Sequence, residues 1–168
     1  MRITVGILTV SDRCSKGLRR DESGPALQRL VEAQGWQVAQ SALRPDESKD
    51  IQETLLDWSD GKGLDLLLTT GGTGLGPRDV TPEATRAVLE KELPGLAEWM
   101  RLKGSEKNEN ALLSRAVAGA RGRTLIINLP GSPRGATESL ATVMKLLPHA
   151  LAMLQGEGHT EEHSHGSA

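Results

Sequence analysis

The stretch Leu64-Asp65-Leu66-Leu67-Leu68-Thr69-Thr70-Gly71-Gly72-Thr73-Gly74-Leu75-Gly76 decides the architecture. Residues 64–70 form a short, nearly continuous apolar run stopped by glycine, the pattern of a strand covered on both faces. Such a strand needs helices above and below it. Working outward, residues 3–10 read as a second buried strand, 36–43 as a less apolar strand nearer a sheet edge, and 124–129 as a fourth. Helical spacing fills the intervals. Leu27, Leu30 and Val31 follow Ser23-Gly24-Pro25 and stop at Gly35, while Ile51, Leu55 and Trp58 space a helix over 47–60. Thr81-Pro82-Glu83 opens another, and segments 94–104 and 108–118 read as helical. One long helix behind Ser132-Pro133 carries Leu140, Val143, Met144, Leu147, Leu151 and Leu154. The alternation predicts an α/β fold: a three-layer, Rossmann-like sandwich with a mostly parallel central sheet and helices on both faces, in one domain over residues 1–155. Residues 156–168, rich in Gly, Glu and His, are predicted to be a disordered tail.

Composition removes several functions. Among 168 residues, 20 Lys and Arg stand against 22 Asp and Glu, a net charge of −2, and Glu157, Glu161 and Glu162 belong to the tail. No strong field points to nucleic acid or to an anionic membrane. There is no Phe or Tyr, only Trp36, Trp58 and Trp99, so aromatic platforms for RNA are not expected. No apolar run approaches the roughly 20 residues of a bilayer span, and no signal-peptide pattern opens the sequence. A single cysteine, Cys14, rules out an internal disulfide framework and a multi-cysteine zinc site, which fits a soluble protein of the cytoplasm. Three of the four histidines, His159, His163 and His165, lie in the tail, and His149 lies inside the last helical pattern. Histidine general-base catalysis is therefore not expected, and phosphate chemistry by positioning and electrostatics is favoured.

In a parallel sheet ligands bind beyond the carboxyl ends of the strands. Four polar or glycine-bearing segments follow the four predicted strands, at 11–24, 44–47, 69–79 and 130–135, and should converge on one edge. The glycine loop is not a Walker A sequence, because no Gly-Lys-Ser/Thr ends it, and Gly72, Gly74 and Gly76 are spaced two and two, unlike a dinucleotide fingerprint. It remains a loop whose amides can approach an anion or a flat ring, with hydroxyls from Thr69, Thr70 and Thr73. A tight strand-to-helix turn is the plainer reading, but it needs fewer glycines. Asp46 reads as the N-cap of the helix beginning near Glu47, and Asp79 as a turn acid before Thr81. As a pair placed after two strands, they could also hold Mg²⁺ together with substrate phosphates and water. Ser132-Pro133 has the form of a cap and first-turn proline, and the same helix start suits a phosphate. Arg13, Lys16, Arg19 and Arg20 read either as a solvated loop or as a basic lid over a polyphosphate. Cys14 has no neighbouring His to activate it and reads as a small loop residue.

Taken as an ordered set, these segments resemble a known family. Thr-Val-Ser-Asp-Arg at 9–13, Asp-Glu-Ser-Gly-Pro at 21–25, Pro-Asp-Glu at 45–47, Thr-Thr-Gly-Gly-Thr-Gly at 69–74, Arg-Asp-Val-Thr-Pro-Glu at 78–83, Leu-Ser-Arg at 113–115 and Leu-Pro-Gly-Ser-Pro at 129–133 look like the molybdopterin-binding MogA/MoaB family, to which the gephyrin G domain is similar. The resemblance implies transfer of AMP from Mg-ATP to the terminal phosphate of molybdopterin, giving adenylylated molybdopterin and pyrophosphate. It further implies a homotrimer, able to pair into a hexamer, and hand-over of the product to a molybdenum insertase. Carried over residue by residue, Asp46 and Asp79 match the functionally important acids. Thr69, Thr70, Gly71, Gly72, Thr73 and Gly74, with Pro130, Gly131, Ser132 and Pro133, match the loops that cradle the pterin and its phosphate. Ser11, Asp12 and Arg13, with Ser114 and Arg115, match positions lining the same cleft. Leu75-Gly76-Pro77 looks more like the MoaB-type branch, where a non-catalytic molybdopterin-binding or scaffolding protein is the alternative. A further alternative is another nucleotide-phosphate enzyme of the same fold.

Overall fold

The computed structural model describes residues 2–157. β1 (Thr4–Val10), β2 (Gln37–Arg44), β3 (Leu66–Thr70) and β6 (Thr124–Leu129) run parallel, and with β4 (Lys91–Glu92) and β5 (Ala118–Arg121) they form a six-stranded sheet of order β2-β1-β3-β6-β5-β4. β3 and β6 are buried along their whole length, as expected of strands covered on both faces, whereas β2, at the edge, has no buried residue. Alternate residues serve the two faces. Val5, Ile7, Leu66, Leu68, Leu125 and Ile127 pack under α2 (Ser23–Ala33), α5 (Pro94–Ser105), α6 (Pro133–Val143) and α7 (Leu147–Leu154). Leu8, Val10, Leu67 and Ile126 pack against Ile51 and Leu55 of α3 (Ser48–Leu56), Trp58 of the π turn Asp57–Gly61, and Ala84 and Val88 of α4 (Thr81–Val88). The three-layer, mostly parallel architecture is the expected one.

Three elements differ from the sequence reading. The segment 108–118 is not a helix. Asn108 caps a 3₁₀ turn, Glu109–Leu113, its side chain accepting from the Asn110 N–H at 3.1 Å, and the chain then extends into β5 (Ala118–Arg121), antiparallel to β6. β4 (Lys91–Glu92) pairs antiparallel with β5 in turn. Ala118-Gly119-Ala120 has no β-branched residue, so burial beside β6, and not propensity, makes it a strand. The last helix is two helices, α6 and α7, separated by a 3₁₀ turn at Met144–Leu146. Pro148 is the cause: it has no N–H and its ring excludes the carbonyl four residues back, so the α-helix restarts at Leu147. Trp99 is 44% exposed, with the Lys103 ammonium 5.1 Å from its ring. The predicted disordered tail lies, from residue 158 onward, outside the described residues, as do His159, His163 and His165. Among the described residues no helix is long and apolar enough to cross a membrane.

Candidate functional site

The carboxyl ends of the parallel strands are tied to one another by the loops that leave them. The Ser11 N–H donates to the Arg44 carbonyl at 2.9 Å, joining the ends of β1 and β2, and the Gly71 N–H donates to Leu129 at 3.2 Å, joining β3 and β6. The Thr70 hydroxyl donates to the Pro130 carbonyl at 2.6 Å, and the Ser23 hydroxyl donates to the Gly131 carbonyl. The four expected segments therefore meet on one edge, and they enclose a cleft of about 460 Å³. Ser11, Asp12, Arg13, Cys14, Asp46, Thr70, Gly71, Gly72, Asp79, Gly131, Ser132 and Pro133 line it, with Arg19 and Arg20 on the loop after β1.

Only glycine fits the turn out of β3. Gly71 and Gly72 have φ of +102° and +68°, and a β-carbon at Gly71 would run into the Val10 carbonyl. Asp79 folds back over the rest of the loop, its Oδ2 accepting from the Gly76 N–H at 2.9 Å. Asp46 does not cap α3: the N-cap position falls on Glu47, with no side-chain bond, and Asp46 instead exchanges bonds with Asp12. The Asp12 N–H donates to Asp46 Oδ2 at 2.8 Å and the Asp46 N–H donates to Asp12 Oδ1 at 3.0 Å. Burial pushes the Asp46 carboxyl above its ordinary value; the Asp12 N–H opposes this, while the charges of Asp12 and Asp79 add to it. Asp12 shifts the other way, held down by hydrogen bonds from Arg78, whose guanidinium reaches Asp12 at 3.0 Å and Glu47 at 2.7 Å.

Asp46 and Asp79 are close enough for the charge of one to be felt by the other, and Arg78 is engaged by Asp12 and Glu47. Among the described residues no group of three or more His, Cys, Asp or Glu could hold a metal ion. A two-carboxylate site does not suit a metal that needs a full protein cage, but it suits Mg²⁺, which completes its shell with phosphates and water.

Other expected site residues have different surroundings. Thr69 is fully buried, and its hydroxyl accepts from Asn128 Nδ2 at 2.9 Å, inside the sheet. Thr73, Gly74, Ser114 and Pro130 line a second, wider cleft of about 890 Å³, together with Leu75, Met100, Lys103, Lys107 and Leu113; Ser132 lines both clefts. Arg115 braces the glycine loop from behind. Its backbone N–H donates to Thr73 O at 2.9 Å, its guanidinium to Gly74 O at 2.7 Å and to Asp79 O at 2.8 Å, and it pairs with Glu83, whose carboxyl it holds down. Ser132 caps α6, its hydroxyl accepting from the Gly135 N–H at 3.0 Å, with Pro133 in the first turn. Two organising residues escaped the sequence reading. Asp21 accepts from Thr9 Oγ1 at 2.8 Å and from the Gly24 N–H at 3.0 Å, fixing the basic loop to β1, and Arg78 gathers Asp12 and Glu47. Asp21 preceding Ser23-Gly24-Pro25 was a capping signal. Arg78 opens the quoted Arg-Asp-Val-Thr-Pro-Glu segment, but nothing local shows that it would gather Asp12 and Glu47.

Known proteins share this fold and much of this sequence. Residues 6–149 match the family model described as a probable molybdopterin binding domain. The molybdenum cofactor synthesis protein cinnamon of Drosophila melanogaster is 45% identical over 90% of this chain, which spans only 26% of that protein's length. A molybdopterin adenylyltransferase of Helicobacter pylori is 39% identical, with 92% of this chain matching 89% of the relative. The crystal structure of the molybdopterin biosynthesis enzyme MoaB from Thermus thermophilus superposes with a TM-score of 0.87 at 55% identity, covering 92% of this chain and 97% of that one. With the family model matched over most of its length and the fold shared with these relatives, the chain belongs to the molybdopterin-binding domain family of molybdenum cofactor biosynthesis.

Proposed function

We propose that the protein is a molybdopterin adenylyltransferase: an oxygen of the terminal phosphate of molybdopterin attacks the α-phosphorus of ATP, a new P–O–P bond forms, the bond to the β-phosphate breaks, and pyrophosphate leaves. The observation that carries this reading is the pair of clefts meeting at Ser132, one holding Asp46 and Asp79 beside the glycine loop, the other broader and partly apolar. A phosphate monoester is largely ionised near neutral pH, so no strong base is needed. The difficulty is bringing two anions together.

In this reading the nucleotide's phosphates lie in the narrower cleft, and Asp46 and Asp79 hold the Mg²⁺ that accompanies ATP. Bound there, Mg²⁺ would neutralise phosphate charge and favour departure of pyrophosphate. The amide of Gly72 and the start of α6 supply fixed positive dipoles for phosphate oxygens. Arg13, Arg19 and Arg20 line the same cleft, where a leaving pyrophosphate needs cations. The wider cleft takes the pterin, whose flat ring suits its mixed lining of Leu75, Met100 and Lys103. The exposed Trp99, Leu102, Leu112 and Leu113 form the face through which copies assemble into the trimer expected of the family, which can pair into a hexamer. The product passes to a molybdenum insertase, the hand-over that the family resemblance implies. A cytoplasmic location rests on the solitary Cys14.

The test is incubation with freshly released molybdopterin and Mg-ATP, with adenylylated molybdopterin and pyrophosphate followed by chromatography and mass spectrometry. Pterin-dependent product from the parent protein, absent from Asp79→Ala, is expected. Pterin binding without product would replace the enzyme by a non-catalytic molybdopterin-binding protein, and nucleotide turnover indifferent to pterin by a different nucleotide-phosphate enzyme.

A further inference from the structure

Threonine hydroxyls sealed from solvent in this fold are hydrogen-bonded as burial requires. Thr70 donates to Pro130 O, Thr54 to Asp50 O and Thr124 to Leu64 O, while Thr69 and Thr85 both take the Asn128 amide. Thr81 is the exception. Its side chain is fully buried, and its Oγ1 is the one buried side-chain oxygen or nitrogen without a partner among the described residues. It does not cap α4: the N-cap position is Val80, no side chain caps that helix, Pro82 has no N–H, and the Ala84 N–H is taken by Val80 O. Nothing in the folding of α4 calls for this hydroxyl, and leaving it unbonded costs stability.

Its surroundings supply a reason. The Thr81 N–H donates to Gly72 O at 3.1 Å, which locks the start of α4 under the glycine loop. Thr81 Oγ1 and Asp46 Oδ1 both crowd the place where a β-carbon would stand at Gly72, the carboxylate oxygen at 2.9 Å from it. The Asp46 Oδ2 oxygen is fixed by the Asp12 N–H, whereas no donor reaches Oδ1. An O–H without an acceptor and a carboxylate oxygen without a donor thus border the same point beside Gly72, which with Asp46 lines the cleft. A carboxylate oxygen can accept this bond and still offer a lone pair to a cation or a water.

We propose that Thr81 is a positioning residue for Asp46: in the substrate-loaded enzyme its hydroxyl donates to Asp46 Oδ1, so that both oxygens of this carboxylate are oriented, one by the Asp12 amide and one by Thr81. In the free protein the same hydroxyl is held ready and unbonded. Gly72 is then small for a functional reason as well as a conformational one, since a side chain there would part the two oxygens. The inference rests on the adenylyl-transfer reading of the cleft, and its failure is separable from failure of that reading, because the parent protein is assayed first.

The experiment compares Thr81→Val and Thr81→Ser with the parent for kcat, KM for Mg-ATP and melting temperature of the free protein. Val keeps the shape of Thr without its hydroxyl, and Ser keeps the hydroxyl without the methyl. Thr81→Val is expected to lower kcat about tenfold or more with KM changed less than about threefold, as for an interaction strengthened in the transition state. The free Thr81→Val protein is expected to melt at a higher temperature than the parent, since an unbonded polar group has been removed from the interior. Thr81→Ser should restore kcat to within about threefold of the parent. Full kcat in Thr81→Val, equal impairment of both variants, or a lowered melting temperature in Thr81→Val would each overturn the proposal. The last result would mean that the hydroxyl already has a partner in the free protein. Absence of adenylyl transfer in the parent would instead overturn the functional reading.

Discussion

The two sides of the sheet are built on different terms. On the parallel side, β1, β3 and β6 are long, aliphatic and buried, and the loops leaving their carboxyl ends are cross-tied by backbone bonds such as Ser11 to Arg44 and Gly71 to Leu129. On the antiparallel side, β5 is four residues of Ala, Gly and Arg and β4 only two, and the extension is held by side chains: Arg121 binds Asp60 at 2.7 Å and the Val88 carbonyl at 3.0 Å. The first side carries the acids and the glycine loop. The second carries Ser114 and Arg115, and so one wall of the wider cleft. Cohesion from strand burial leaves the loops of the parallel side free to be specialised, whereas the antiparallel side depends on side-chain ties, Arg121 at its outer edge and Arg115 reaching back to the glycine loop.

The largest effect that would break this comparison is chemical. Asp46→Ala and Asp79→Ala should each lower kcat by about 100-fold or more while pterin affinity, read by fluorescence titration, changes little. Equal loss of turnover and binding would mean that these acids shape the site and do not act on the phosphates. Next is the joint between β3 and its loop. Gly71→Ala should destabilise the protein by about 3 kcal/mol, read by urea denaturation, because the new methyl meets the Val10 carbonyl in a backbone conformation that L-residues avoid. Full stability would show that the loop is looser than its cross-ties suggest.

Arg115→Ala tests the connection between the two sides. Loss of its bonds to Gly74 and Asp79 should cost about 2 kcal/mol of stability and lower kcat several-fold through misplacement of Asp79. A purely thermodynamic loss, with kcat unchanged, would assign Arg115 to the fold alone. The smallest effect belongs to the outer edge. Arg121 holds the Asp60 carboxyl below its ordinary value of 3.8, so this pair adds stability above that pH and the contribution disappears as pH falls through the lower folded value. Asp60→Asn should therefore lower the melting temperature slightly at pH 7 with activity intact, and the difference from the parent should vanish in acid. A difference that persists at low pH would trace the loss to packing.

What the sequence determined by itself was the parallel core and the edge on which the site lies. Runs such as Leu66–Thr70 and Thr124–Leu129 are apolar on both faces, which admits one kind of burial, and the polar segments that follow them have to emerge together at the carboxyl edge. Ser132 as the cap of α6 was equally legible, because a cap and its first-turn proline are adjacent in the chain. Tertiary structure alone decided the rest, for reasons of distance. β5 is a strand because β6 lies beside it, and its Ala-Gly-Ala sequence carries no local preference strong enough to announce that. Asp46 gives up the cap expected of it because Asp12, 34 residues earlier, offers a better-placed amide. The unbonded hydroxyl of Thr81 exists only because a glycine from another segment and a carboxylate from a third close over it, a juxtaposition that no local pattern of residues encodes.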